Sequence, residues 1–199
     1  MAESVYHPGL AIRNAPRHSA VVRVTHWINT VCFFALIISG AAILVAHPRF
    51  YWGETGAVGA PSLFDLPIPF MLGHSGWGRY LHFLAAWACL LNGAVYVVTG
   101  LSARHFRREL WPDALQRGAY IGVVFGLFPL IIFTGLAMSP AITSVVPRLV
   151  EVFGGQQSAR TIHFFAADFL VLFFVGHIFM VSLAGFTDSV RTMITGHGI

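Results

Sequence analysis

Four long apolar blocks, separated by polar and Gly- or Pro-rich stretches, set the pattern of this chain. They run from about Val22 to Ala46, Tyr80 to Leu101, Ala119 to Met138 and Thr161 to Phe186. A helix needs about 20 apolar residues to cross the hydrocarbon core, and each block supplies them. The pattern predicts an all-α membrane protein, a four-helix transmembrane bundle forming a single domain over residues 1–199. Between the first two blocks lies a long loop, residues 47–79, rich in Gly and Pro and carrying Tyr51, Trp52, Phe64, Phe70 and Trp77. Its stretch Pro67 to Leu72 is too short and too Pro-rich to span, and is expected to dip into the interface. Loops of this length are usually functional; docking a partner or covering a cofactor edge are the two expectations. No internal repeat is evident.

Composition agrees with a membrane protein. Hydrophobic residues make up 56% of the 199 and charged residues 10%, against about 25% charged in soluble domains. All 12 basic residues are Arg. They flank the apolar blocks instead of forming a basic face, which argues against nucleic acid as a partner. Their distribution orients the chain. With the N-terminus in the cytoplasm, Arg13, Arg17, Arg23, Arg104, Arg107, Arg108, Arg117 and Arg191 lie inside, and Arg49, Arg79, Arg148 and Arg160 outside. The excess predicts both termini cytoplasmic and the 47–79 loop periplasmic. Trp27, Trp77 and Trp111 fall at the expected interfaces. The N-terminus does not read as a cleavable signal peptide. Cys32 and Cys89 lie inside apolar runs, with no zinc spacing and no Cys-x-x-Cys-His for covalent haem attachment.

Against this background four histidines stand out. His26, His82, His163 and His177 lie inside the apolar blocks, where polar side chains are expensive and are functional candidates by default. His163 and His177 are 14 residues apart, nearly four helical turns, so they share a face about 21 Å apart along the axis. The alternating direction of the spans then sorts the histidines by depth. His26 and His177 fall on the cytoplasmic side, His82 and His163 on the outer side. Two opposed imidazoles suit a six-coordinate haem iron, which favours electron transfer over oxygen chemistry. Zinc or di-iron centres would want more ligands or carboxylates. The expectation is two haem b groups, with metal ligands His26, His177, His82 and His163.

Other polar residues are read around these pairs. Arg23, Arg79 and Arg160 each precede a candidate ligand by three residues, nearer the aqueous side; they are candidates to neutralise haem propionates or ordinary interfacial anchors. Asp168 is five residues after His163 and should point away from its face, as a hydrogen-bonded bundle residue or as part of a proton or quinone path. His7, His18, His47, His105 and His197 read as solvated or interfacial. His74 is the one rival to His82, but lies in the Gly-rich loop. Gly40, Gly93, Gly100, Gly122, Gly126, Gly135 and Gly176 serve close helix packing, room for a flat macrocycle, or both.

These residues carry a family resemblance. Arg23-Val24-Thr25-His26-Trp27-Ile28-Asn29 with Ile38-Ser39-Gly40, then Arg79-Tyr80-Leu81-His82-Phe83 with Asn92-Gly93 and Tyr96, then Ile162-His163-Phe164 with His177, resemble the prokaryotic cytochrome b561 family. That family includes the b-type cytochrome subunits of nickel–iron hydrogenase, formate dehydrogenase (gamma type) and thiosulfate reductase. The resemblance implies a dihaem subunit of the bacterial inner membrane, passing electrons between a periplasmic oxidoreductase partner and membrane quinone, ubiquinone or menaquinone. His47-Pro48 with Tyr51-Trp52-Gly53 resembles a subgroup that serves molybdopterin-dependent oxidoreductases. The alternative within the family is a stand-alone superoxide:quinone oxidoreductase, against which the long outer loop argues.

Overall fold

Ser19 begins the first helix by accepting a hydrogen bond from the Val22 amide at 3.3 Å, a common N-cap. Helix α1 then runs Ala20–Ala46. The computed structural model describes residues 18–56, 59–68, 76–102, 118 and 121–197. Among these, α1 is followed by a two-stranded antiparallel ladder, β1 (Arg49–Phe50) and β2 (Phe64–Asp65), pairing Arg49 with Asp65 and Phe50 with Phe64. Helix α2 is Gly76–Ser102. A π-helical segment, Gly122–Leu127, leads into α3, Phe128–Ala137. Two short helices, α4 (Pro140–Thr143) and α5 (Arg148–Val152), connect to α6, Gln156–Leu183, and then α7, Phe186–Thr195.

Three of these helices, α1, α2 and α6, are long and apolar enough to cross a membrane; Gly122–Ala137 is a shorter apolar helix. The third block is irregular for a local reason. Pro129 has no amide hydrogen and its ring crowds the carbonyl four residues back. The turn just before it is widened, and the Phe128 amide reaches the Val123 carbonyl, five residues earlier. Two bounds differ from the sequence expectation by a turn or so. Helix α2 starts at Gly76 instead of Tyr80, and α6 at Gln156 instead of Thr161. Helix α6 covers the last block, and a further helix follows it. Gly185, at φ +103, turns the chain by a left-handed residue after α6, and α7 follows with Phe186, Val190, Met193 and Ile194 at amphipathic spacing. The Arg-rich stretch 103–117, His74 and most of Pro67 to Leu72 lie outside the described residues.

The packing is inverted relative to a soluble protein. Thr25, Ser39, Asn92, Thr134, Ser158, Thr161, Ala137 and Ala159 are buried, while Val31, Leu84 and Leu172 are each about two-thirds exposed. Small and hydroxylated residues between helices let backbones approach, and large apolar residues face outward, as helices packed in lipid do. Close backbone packing runs α1 along α2 and α3 along α6. Asn92 locks the first pair, donating to the Thr25 carbonyl and the Asn29 side chain, both at 2.8 Å.

The loop after α1 folds back on the start of α6. The Gly53 amide donates to Ser158 Oγ at 2.7 Å, the Gln157 amide to the Gly53 carbonyl at 3.0 Å, and Thr161 Oγ1 to the Tyr51 carbonyl at 2.8 Å. Gly155 makes this possible: it sits at φ +117, and a Cβ there would collide with the Gly53 backbone. Gly155→Ala should therefore lose about 1–3 kcal/mol from backbone strain alone. The expected outcome is a lower thermal midpoint in detergent and faster proteolysis in 47–56.

Candidate metal centres between the helix pairs

An imidazole in hydrocarbon needs a partner, and each of the four intramembrane histidines faces another. The rings of His26 on α1 and His177 on α6 have centroids 6.5 Å apart, inclined at 51°. Those of His82 on α2 and His163 on α6 are 6.2 Å apart, at 62°. A metal–imidazole bond of about 2 Å, with the ring centre about 1 Å further back, puts two opposed ligands roughly 6 Å apart. Both spacings fit one metal between two rings.

The donor set narrows the metal. Among the described residues, no group of three or more His, Cys, Asp or Glu side chains converges on one point. Two ligands do not complete a zinc site. They do complete an iron whose other four ligands come from a macrocycle. Each histidine pair also joins two packing units of the fold. His82 belongs to the α1–α2 pair and His163 to the α3–α6 pair, and the backbones pack closely within each pair. Ring contacts join the two units: the two histidine pairs, and Phe33 and Phe34 against Phe174 at 4.9 and 5.5 Å. By residue count these phenylalanines lie between the two histidine levels, which are about 21 Å apart on α6.

The surroundings of the two pairs differ. His82 Nδ1 lies 3.0 Å from Ser39 Oγ, and His163 Nδ1 lies 2.9 Å from Thr134 Oγ1. Gly40 and Gly135 adjoin these hydroxyl residues and seat the rings: a Cβ on Gly40 would touch His82 at 3.7 Å, and one on Gly135 would press His163 at 3.3 Å. Among the described residues, His26 Nδ1, Arg23 Nε and Thr192 Oγ1 near the other pair, and Gln157 Oε1 at the start of α6, are buried without a hydrogen-bond partner. Unpaired polar atoms so placed fit a site built for a polar group they do not supply themselves.

The arginines take three different positions. Arg23 donates to the Ile194 carbonyl at 2.7 Å, and neighbouring Trp27 to the Met193 carbonyl at 3.0 Å; together they fasten the end of α7 beside the inner pair. Arg79 is exposed at the start of α2. Arg160 is bound to the loop: it donates to the Arg49 carbonyl at 2.8 Å and to the His47 carbonyl, and lies over the Phe50 ring at 4.9 Å. Phe50 is 1% exposed and stacks between Phe64 and Phe164, each 4.6 Å away. Residues 47–53 thus fold over the N-terminal end of α6. Asp168 is exposed on α6, off the histidine face as its spacing predicted.

The residues missed in the sequence are Ser39 and Thr134 as neighbours of the histidines. A signal existed. Ile37-Ile38-Ser39-Gly40-Ala41-Ala42 and Ile132-Phe133-Thr134-Gly135-Leu136-Ala137 share Ile-x-Ser/Thr-Gly-x-Ala. This short match marks the same position in each helix pair. Six residues are too few to register as a repeat without knowing what they face.

Paired imidazoles across a cleft in an inverted helical bundle define a membrane cytochrome of the b type. Comparison with known proteins agrees. Residues 17–196 match the model of the family described as prokaryotic cytochrome b561, and the chain belongs to that family, whose members carry b-type haem and transfer electrons in membranes. It is similar to the putative protein-methionine-sulfoxide reductase subunit YedZ1 of Azospira oryzae, at 29% identity over 90% of this chain and 96% of that protein. It is also similar to the putative cytochrome YdhU of Escherichia coli, at 26% identity over 90% of this chain and 73% of that protein.

The Arg160 contacts make a direct prediction. Arg160→Met keeps the apolar stem but removes the donors to His47 and Arg49. The loop should detach locally, seen as faster proteolytic cleavage between residues 47 and 56, with the remaining helices still protected.

Proposed function

We propose that this chain is a dihaem cytochrome b subunit of the bacterial inner membrane, passing electrons between membrane quinone and a periplasmic oxidoreductase. The observation that carries the reading is the pairing of histidines at two depths of α6, 6.5 Å apart at one level and 6.2 Å at the other. In this reading His26 and His177 hold the cytoplasmic-side haem, and His82 and His163 the periplasmic-side haem. When bound, haem would supply a reversible one-electron couple at each site, held by the paired imidazoles. The protein's share is to fix the imidazoles, keep the middle of the cleft dry with Phe33, Phe34 and Phe174, and hold the helix pairs apart.

Four spanning helices with both termini cytoplasmic complete the topology, the third being the Pro129-containing segment. Arg23 and Arg79 lie a turn to the aqueous side of His26 and His82 and are placed to neutralise propionates. Arg160 stands likewise to His163, with only those donors that its loop carbonyls leave. Residues 49–53 of the loop are fastened to the start of α6, the helix that carries His163, and in this reading loop 47–79 is the partner's docking surface. The name of the Azospira oryzae relative, a reductase subunit, supports a partner of the oxidoreductase kind, molybdopterin-dependent in keeping with His47-Pro48 and Tyr51-Trp52-Gly53. A docked loop next to the outer site favours this over a stand-alone superoxide:quinone oxidoreductase.

His177→Ala tests the assignment. It should remove the inner haem and keep the outer one, halving the reduced-minus-oxidised absorbance per chain. A full haem complement in that variant would overturn the pairing. Superoxide-driven quinone reduction by the isolated chain at a rate independent of any partner would favour the stand-alone reading instead.

A further inference from the structure

The two hydroxyls beside the outer histidines have only one hydrogen each, and the geometry fixes where it goes. Ser39 Oγ lies 2.6 Å from the Ala35 carbonyl, and Thr134 Oγ1 lies 2.7 Å from the Leu130 carbonyl. A carbonyl oxygen cannot donate, so each hydroxyl hydrogen points to its own helix backbone. The contact to imidazole must then run the other way: His82 Nδ1–H donates to Ser39 Oγ, and His163 Nδ1–H donates to Thr134 Oγ1. With Nδ1 protonated, the neutral ring keeps its lone pair on Nε2, the nitrogen left to bind a metal.

Each brace is internal to one helix pair. Ser39 on α1 holds His82 on α2, and Thr134 on α3 holds His163 on α6. The adjoining Gly40 and Gly135 let the ring lie against the bracing helix. The two preset imidazoles meet only across the cleft. The inner site is built differently: His26 Nδ1 is buried with no hydrogen-bond partner among the described residues.

We propose that Ser39 and Thr134 are positioning residues that hold His82 and His163 in the Nδ1–H tautomer and strengthen them as ligands of the outer haem alone. This rests on the dihaem reading above. A hydrogen bond from the non-ligating nitrogen raises imidazole basicity, and a more basic ligand favours ferric over ferrous iron. Removing one brace should shift that preference about tenfold, the lower end for such outer partners. For a one-electron couple this is about 59 mV toward higher potential.

The test is a redox titration of the purified full chain with haem bound, comparing wild type with Ser39→Ala, Thr134→Val and Thr134→Ser. Two one-electron components are expected in wild type. Ser39→Ala and Thr134→Val should each raise one and the same component by about that amount, leave the other in place, and alter the ferric low-spin resonance of the shifted haem. Thr134→Ser, which keeps the hydroxyl, should match wild type. Loss of one haem in Thr134→Val with retention in Thr134→Ser would support the brace equally. The proposal is overturned if both potentials hold in Ser39→Ala and Thr134→Val with two haems bound, or if Thr134→Ser moves as far as Thr134→Val. A wild-type chain that takes up fewer than two haems overturns the dihaem reading itself, a separate result.

Discussion

A nitrogen lone pair in the middle of a bilayer has no water to satisfy it, and an unsatisfied polar group there costs several kcal/mol. Four imidazoles in one small bundle are tolerable only if the fold gives them partners. The architecture follows from meeting that demand. Two of the four rings are braced on their outer nitrogen by hydroxyls whose hydrogens are already committed to the helix backbone. All four face one another at spacings suited to an intervening metal. Helices therefore associate closely in pairs, by small and polar residues such as Ser39, Asn92 and Thr134, and rings join one pair to the other.

The remaining elements protect this arrangement at its ends. At the N-terminal end of α6, the 47–56 strap and the β1–β2 ladder are fastened to the helix through Gly53, Ser158, Arg160 and Thr161. That gives a defined shape to the loop beside the start of the helix carrying His163. At the other end, α7 is an amphipathic helix tied by Arg23 and Trp27 to the start of α1, one turn from His26. The two ends thus differ in kind: a folded loop fastened by hydrogen bonds at one, a short amphipathic helix at the other.

Much of this was legible in the sequence because hydrocarbon is an unforgiving solvent. Histidine depth, computed from residue counts alone, brought His26 to His177 and His82 to His163, and the structure places those rings together. The positions of α1, α2 and α6 followed from block length, to within about a turn. What the sequence concealed were features set by local chemistry. The Pro129 distortion, the Gly185 break before α7 and the use of Arg160 on loop carbonyls all depend on which backbone groups lie nearby. Ser39 and Thr134 gave no separate signal, because a hydroxyl in a helix usually satisfies itself on the preceding turn. They do so here as well, and that is why they can accept from histidine.

The account stands or falls on where iron sits. The most direct measurement is an experimental structure of the haem-loaded chain with anomalous scattering recorded at the iron edge. Two iron positions per chain are predicted, one between His26 and His177 and one between His82 and His163, at levels about 21 Å apart along α6. A single iron, or one bound away from these pairs, would contradict it.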